Sequence, residues 1–430
     1  MKANTFKTVL KKYVSLKNFI FLFIIIYSTA PIVSQITSTF LTTYFYMAIV
    51  VAAVLLVFGA CRLQNIRELI LLVLPFAVFE LLEISISDES SMLLIGYRAL
   101  LFIMPLCLGY YLKKNDFPIP VYVTVTLAAY AITAVTTIIG CMRNPGAARI
   151  LATIKTSDDP VLIFFNWANI GGYSFVYSAV TLYPAAIIAF KRRRIRLIYA
   201  LIPAVMLFTM SIQAEYALSL TLLVFTSALF FIRRNLTQKG FIRLAVILIV
   251  AVVFFSSVFV TLLNYVGRMT GNEEMTQKLT AIFSGQDSLN SLEDNRFSLY
   301  MYSVDLFLKN PIFGTYLSGK HVTGGHSFIL DSLAHYGLVG AALLFLMYRA
   351  VYKTFYMPFC EKEGYGFVIY AFLLPMILSL VNTGMWLSNM CVYMPLFLMA
   401  IYGKDFSEKR LKAKYPRPAR NKWKEKANST

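Results

Sequence analysis

At 430 residues, with 58% hydrophobic and only 14% charged side chains and a mean hydropathy of +0.67, the chain carries more apolar surface than a soluble domain can hide. Its formal charge of +19 invites a nucleic-acid partner, but the basic residues sit at the ends of apolar runs, which is the pattern of membrane topology; no nucleic acid is expected. Of the five cysteines only Cys141 falls near the outer face, so no outer disulfide framework is available to the chain.

The Lys-rich start (Lys2, Lys7, Lys11, Lys12, Lys17) runs into an apolar segment with no small-x-small cleavage site and Pro31 at its far end, and is read as the first span. Apolar runs follow at about 18–36, 40–60, 66–84, 92–112, 119–140, 173–190, 196–212, 214–232, 241–264, 327–348, 366–382 and 386–403. Each is close to the roughly 20 residues that cross about 30 Å of hydrocarbon. The expected fold is an all-α polytopic membrane protein of about twelve transmembrane helices, with one large outer loop before the tenth span. Residues 1–264 hold helices one to nine and an outer loop at 141–172. Residues 265–326 form the large extracytoplasmic loop, 327–403 hold helices ten to twelve, and 404–430 form a basic tail.

With the amino terminus inside, the cytoplasmic connections carry Arg62/Arg67, Lys113/Lys114, "KRRRIR" (191–196), "RRNLTQKGFIR" (233–243) and Arg349/Lys353/Lys362. Most Lys and Arg then lie inside, while Glu83, Asp88, Asp158, Asp159, Glu273, Glu274 and Glu293 lie outside, as the positive-inside rule requires of Lys and Arg. The expected location is the cell membrane, with both termini cytoplasmic and the long irregular backbone outside. The tail "KRLKAKYPRPARNKWKEKANST" (409–430) suits anionic headgroups.

Within the large loop, "SLEDNRFSLYMYSVDLFLKNP" (291–311) predicts an amphipathic helix: Ser291 and Asp294 have capping-box spacing and Asn310-Pro311 supplies the stop. Phe297, Tyr300, Met301, Val304 and Leu308 recur as one apolar stripe. Arg296 stands in the first turn, an electrostatically poor place for a cation. Either it pairs with Glu293 or Asp294, or it is held there to grip a phosphate.

The stretch "GGHSFILDSLAHYGLVG" (324–340) opens the tenth span with His326 and places Asp331 and His335 deeper, where isolated charge is costly. On a continuous helix Gly337 and Gly340 share a face with His326, either a smooth groove for an isoprenoid tail or a surface for close helix packing. Asp331 and His335, four apart, are close enough to pair. A zinc site from His321, His326 and His335 lacks a fourth ligand, and no metal or other cofactor is expected.

His326-Ser327, nine residues, then Gly337-x-x-Gly340, preceded by Arg296, an amphipathic stretch and "KNPIFG" (309–314), resembles the bacterial O-antigen polymerase and ligase superfamily of membrane glycosyltransferases. The resemblance implies a GT-C-like, metal-independent enzyme at the outer face that uses an undecaprenyl-diphosphate-linked oligosaccharide as donor and acceptor. It casts His326 as general base or as the group that positions the acceptor hydroxyl, and Arg296 as the diphosphate grip, with Ser327, Asp331, Gly337 and Gly340 beside the substrate. Such enzymes work in the bilayer beside a flippase and a chain-length regulator. A second family arginine is missing: the comparable "TMSIQAEYALSL" (209–220) holds Gln213 and Glu215 instead. Arg268, Arg143, Arg149 or Arg98 would have to substitute, although Arg98 can instead neutralise Glu80 or Glu83. The leading expectation is a polysaccharide repeat-unit polymerase; a ligase moving finished glycan to another acceptor and a lipid-linked oligosaccharide flippase are the alternatives.

Overall fold

A computed structural model describes residues 16–60, 63–85, 92–114, 118–154, 159–228, 296–318, 323–360 and 365–403. Among these the chain is helical, without strands. In chain order the helices are α1 (Leu16–Thr29), α2 (Pro31–Ala60), α3 (Leu63–Ser85), α4 (Met92–Lys114), α5 (Ile119–Arg143), α6 (Ala147–Thr153), α7 (Pro160–Trp167), α8 (Tyr173–Lys191), α9 (Leu197–Gln213) and α10 (Ala217–Ala228). There follow α11 (Arg296–Lys309), α12 (Phe328–Val351), α13 (Tyr365–Val381), a π turn (Asn389–Tyr393) and α14 (Met394–Tyr402).

Four helices are long and apolar enough to cross a membrane: Ile95–Lys114, Ile119–Arg143, Tyr173–Lys191 and Phe328–Phe359. The bent pair Asn18–Thr29 and Pro31–Phe40 adds a fifth if taken as one span. Among the described residues four or five helices thus meet the length and apolarity of a full span; twelve are not shown. Several expected spans are shorter apolar helices, among them Phe45–Gly59, Leu197–Gln213, Leu218–Ala228 and Gly366–Val381. The expected ninth span (241–264), the loop segment 265–295 and the basic tail lie outside the described residues. Leu55, Leu71, Ile132, Val205 and Phe345 stand more than half exposed on outer helix faces, a pattern that costs little only where lipid replaces water.

The expected first span, 18–36, is not continuous. The chain bends by 110° between α1 and α2, at Ala30-Pro31, because proline lacks the N–H and disfavours helical backbone in the residue before it. The hydroxyls of Ser28 and Thr29 bond back to carbonyls one turn earlier in α1, at Ile24 and Ile25 (both 2.8 Å). Asn169 wedges the elbow open. Its Oδ1 accepts the Ile32 N–H (3.2 Å) and its Nδ2 donates to the hydroxyls of Thr133 and Thr136 on α5 (3.1 Å each). A buried amide so fully satisfied fixes three elements at once.

Among the described residues the basic connections at 113–114 and 192–194 gather at one end. Lys114 pairs with Glu68 (2.7 Å), Lys113 reaches the carbonyl of Thr354, and Arg194 donates to the carbonyl of Ile401 (3.0 Å). The Arg192 guanidinium lies 4.6 Å from the Tyr402 ring centre. The opposite end is tied by hydroxyls and backbone. Tyr173 donates to Asn382 Oδ1, the Asn382 carbonyl accepts the Phe328 N–H (2.8 Å), and Tyr300 donates to the carbonyl of Val381 (2.9 Å). The 19 residues of α8 join the two ends, a rise of about 28 Å, close to the thickness of a hydrocarbon core.

Between the ends the π turn packs backbone to backbone on α4. A Cβ at Gly109 would lie 2.0 Å from the Cys391 carbonyl oxygen. Asn389 in the same turn accepts from the Ser178 hydroxyl and donates to the Ser178 carbonyl (2.8 Å each) and to Thr181. Ser178 also meets the Tyr130 hydroxyl, and Tyr393 meets Ser28. A chain of polar groups thus locks α1, α5 and α8 onto the turn.

Candidate functional site

Three backbone and side-chain contacts set the direction of α11 against α12. Gly324 sits against the Leu299 carbonyl, where a Cβ would be 2.2 Å away; Ser303 bonds Asp331; and Pro311 bonds Leu338. The two helices therefore run parallel, side by side. After Pro311 the chain turns, and residues 323–327 lead into α12. The described residues 296–318 and 323–326 form the two sides of a hairpin laid along the first half of α12.

The head of this pair is ordered by one carboxylate. Asp331 Oδ1 accepts the Ser303 hydroxyl (2.6 Å) and Oδ2 accepts the Ser327 N–H (3.0 Å). Ser303 in turn accepts the Gly324 N–H (3.0 Å). Ser327 caps α12 through its Oγ, which accepts the Leu330 N–H (3.0 Å). Serine at the cap and a carboxylate reaching back to its N–H is a reciprocal capping arrangement, with Asp331 one position later than usual. Asp331 thus binds Ser303 and Ser327, where sequence spacing suggested His335. Half-buried His326 is held between the two anchored residues Gly324 and Ser327.

The expected glycine face does not exist as a groove, because α12 is not continuous. Gly337 adopts φ 58° and ψ −142°, outside helical space. In an unbroken helix the N–H of Leu338 would bond the carbonyl of Ala334. Here Leu338 donates to Pro311 (2.8 Å) and Val339 to Ile312 (3.4 Å), while the Ala334 carbonyl accepts the Thr315 N–H (2.9 Å). The turn of "KNPIFG" fills the break, and it partners the Leu338 and Val339 N–H groups and the Ala334 carbonyl. Gly314, at φ 59°, lets the turn approach: a Cβ there would be 2.4 Å from the Ala334 carbonyl oxygen. Gly337 and Gly340 are buried, so packing wins over a lipid-tail groove.

The buried face of α11 does not take in the whole apolar stripe. Met301 and Leu308 are 49% and 68% exposed, whereas Ser303 is fully buried. One hydroxyl serving Gly324 and Asp331 takes the interior position, and the helix turns to place it there. On the outer side Lys309 pairs with Asp305 (2.6 Å), and the hydrogen bond to that carboxylate holds the ammonium above the usual lysine range.

Arg296 is the first residue of α11, one turn before Leu299, whose carbonyl abuts Gly324; its side chain lies outside the described residues. The backbones bearing Arg296 and His326 therefore stand at the same end of the hairpin. Arg149, on α6 and half-buried, lies in electrostatic reach of Tyr216. Tyr216 meets the Tyr173 ring edge-on at 5.5 Å, and Tyr173 leads through Asn382 to the start of α12. Arg143, exposed at the end of α5, has no such connection among the described residues. Arg98 is exposed and its charge acts on Glu80. Arg268 and His321 lie outside the described residues.

Ser303, Asn382 and Trp386 were not singled out from sequence. The only signal for the last two is "NTGMW" (382–386), a polar, glycine-bearing interruption between two apolar runs. No family model, curated protein or solved structure matches the chain. The chemistry is therefore argued from the residues themselves.

Proposed function

We propose that the chain is a multi-pass membrane glycosyltransferase that joins undecaprenyl-diphosphate-linked repeat units at the outer face of the cytoplasmic membrane. The observation that carries this reading is the shared position of Arg296 and His326 at one end of the α11–α12 pair, the end away from Lys113, Lys114, Arg192 and Arg194. By the positive-inside rule the basic end is cytoplasmic, which turns the His326 end outward.

In the proposed step an acceptor hydroxyl attacks the anomeric carbon of the donor sugar. A new glycosidic C–O bond forms, the C–O bond to the diphosphate breaks, and undecaprenyl diphosphate leaves with the bonding electrons. His326 takes the hydroxyl proton, a task that suits an imidazole neutral near pH 7. Arg296 stabilises the charge growing on the leaving diphosphate, since a guanidinium is a planar donor fork that stays protonated. Ser327 and Asp331 do not touch substrate in this account; they hold the His326 segment.

His326→Ala and Arg296→Ala each lower long-chain glycan by at least about 100-fold, the scale of losing a general base or a charge-stabilising donor, with unchanged protein level in the membrane. Lipid-linked single repeats then accumulate on the outer leaflet. Accumulation on the cytoplasmic side in a strain lacking the chain would overturn the reading and make the protein a flippase.

A further inference from the structure

Where α13 ends, the chain crosses from Asn382 to Trp386 before the π turn begins. Trp386 takes φ 55°, a left-handed conformation that a bulky side chain adopts only under strain. The strained backbone sets the half-buried indole against two tyrosines of α8, 6.5 Å from the Tyr173 ring and 6.1 Å from Tyr177. Tyr216 closes on Tyr173 and Tyr177 at 5.5 and 5.6 Å. Four aromatic rings from three elements thus meet at the His326 end.

Polar groups flank this cluster, in which Tyr177 and Tyr216 are buried and Tyr173 and Trp386 half-buried. Asn382 is 3% exposed, and its amide is oriented by the Tyr173 hydroxyl on Oδ1. Its Nδ2 and the Trp386 Nε1 are buried donors without a hydrogen-bond partner among the described residues. A buried donor left without a partner is costly, so each of the two asks for an acceptor. A tryptophan that merely anchors a protein at a membrane interface keeps its N–H in the wet headgroup region; this one is buried. Aromatic faces and fixed N–H donors together suit a pyranose, whose C–H face is apolar and whose hydroxyls accept.

We infer that Trp386, Tyr173 and Asn382 form a binding subsite for the terminal sugar of the acceptor glycan. The acceptor side is favoured because the Asn382 carbonyl bonds the Phe328 N–H, two residues from His326, the group assigned to receive the acceptor proton. The inference rests on the transferase reading for the identity of that sugar.

Two measurements test it. In the variant with Trp167→Phe and Trp423→Phe, Trp386 is the only tryptophan. Adding the oligosaccharide released by mild acid from the lipid-linked repeats of the producing strain shifts or quenches its emission in the reconstituted protein, with saturation; no change overturns the subsite. With lipid-linked repeats as substrate, Trp386→Ala raises the KM for acceptor at least about tenfold while kcat stays within about threefold, and Trp386→Phe falls between. An unchanged KM, or a fall in kcat alone, overturns it. If the native protein makes no polymer yet the emission responds, the transferase reading fails while the glycan subsite stands.

Discussion

Gly337→Ala destabilises the detergent-solubilised protein by about 3–5 kcal/mol and detaches the 310–315 turn from α12. The first contribution is the backbone: at φ 58° and ψ −142° a non-glycine residue costs roughly 1–3 kcal/mol. The second is steric, since a Cβ would lie 2.5 Å from the Ile312 carbonyl oxygen and 2.6 Å from that of Pro311. Those are the two oxygens that accept the Leu338 and Val339 N–H groups, so moving them away also forfeits two hydrogen bonds worth about 1 kcal/mol apiece. Gly314→Ala acts on the same joint from the other side, and the double variant is less destabilised than the sum of the two. Gly59→Ala, with open space around the added methyl, is the neutral control. Thermal unfolding followed by a thiol-reactive or scattering probe reads all four. A Gly337→Ala protein within about 0.5 kcal/mol of native, the spread of ordinary surface substitutions, would contradict the interlocked joint.

Gly109→Val is expected to be comparably severe, at about 3 kcal/mol or more, for a different reason. The neighbour of its Cβ is the Cys391 carbonyl oxygen at 2.0 Å, a backbone atom that cannot swing aside. Separating α4 from the π turn is the only relief, and overpacking of this kind costs about 1–3 kcal/mol by itself. The turn also carries Asn389, whose bonds to Ser178 and Thr181 stretch when it moves. Loss of a buried, satisfied amide adds about 1–3 kcal/mol. A native-like melting midpoint for Gly109→Val would show that the close approach of α4 and the π turn is not needed.

The parts of the fold legible in the sequence were those written in composition. The runs at 92–112, 119–140, 173–190 and 327–348 coincide with helices of spanning length, and the basic pairs at 113–114 and 191–196 do meet at one end. The helix in the large loop was signalled by its period and by Asn310-Pro311, and it is described over Arg296–Lys309. What periodicity cannot carry is a break. A wheel assumes 100° per residue, so Gly337 was placed on a face that the chain does not build. The link between "KNPIFG" and Gly337 runs through backbone N–H and carbonyl groups, which every residue possesses and no pattern of side chains announces.

The site was legible to a similar degree. His326-Ser327 reads as a polar entry to an apolar run, and Ser327 does cap α12. The partner of Asp331 was not legible, because Ser303 lies 28 residues away across a turn, whereas His335 lies four away on the same helix. Local spacing favoured the wrong neighbour; tertiary packing chose a hydroxyl that also receives Gly324. Asn169 and Asn382 were invisible for the same reason, each an isolated amide in apolar sequence whose several partners come from elsewhere in the chain.

The most direct test of the central proposal is elongation by the purified chain in liposomes supplied only with undecaprenyl-diphosphate-linked repeats, without nucleotide sugar or an energy source. The account predicts a ladder of lipid-linked oligomers from the native protein and only single repeats from His326→Ala. A native protein that leaves single repeats unchanged while moving them between leaflets, or a His326→Ala protein that builds the same ladder, would contradict it.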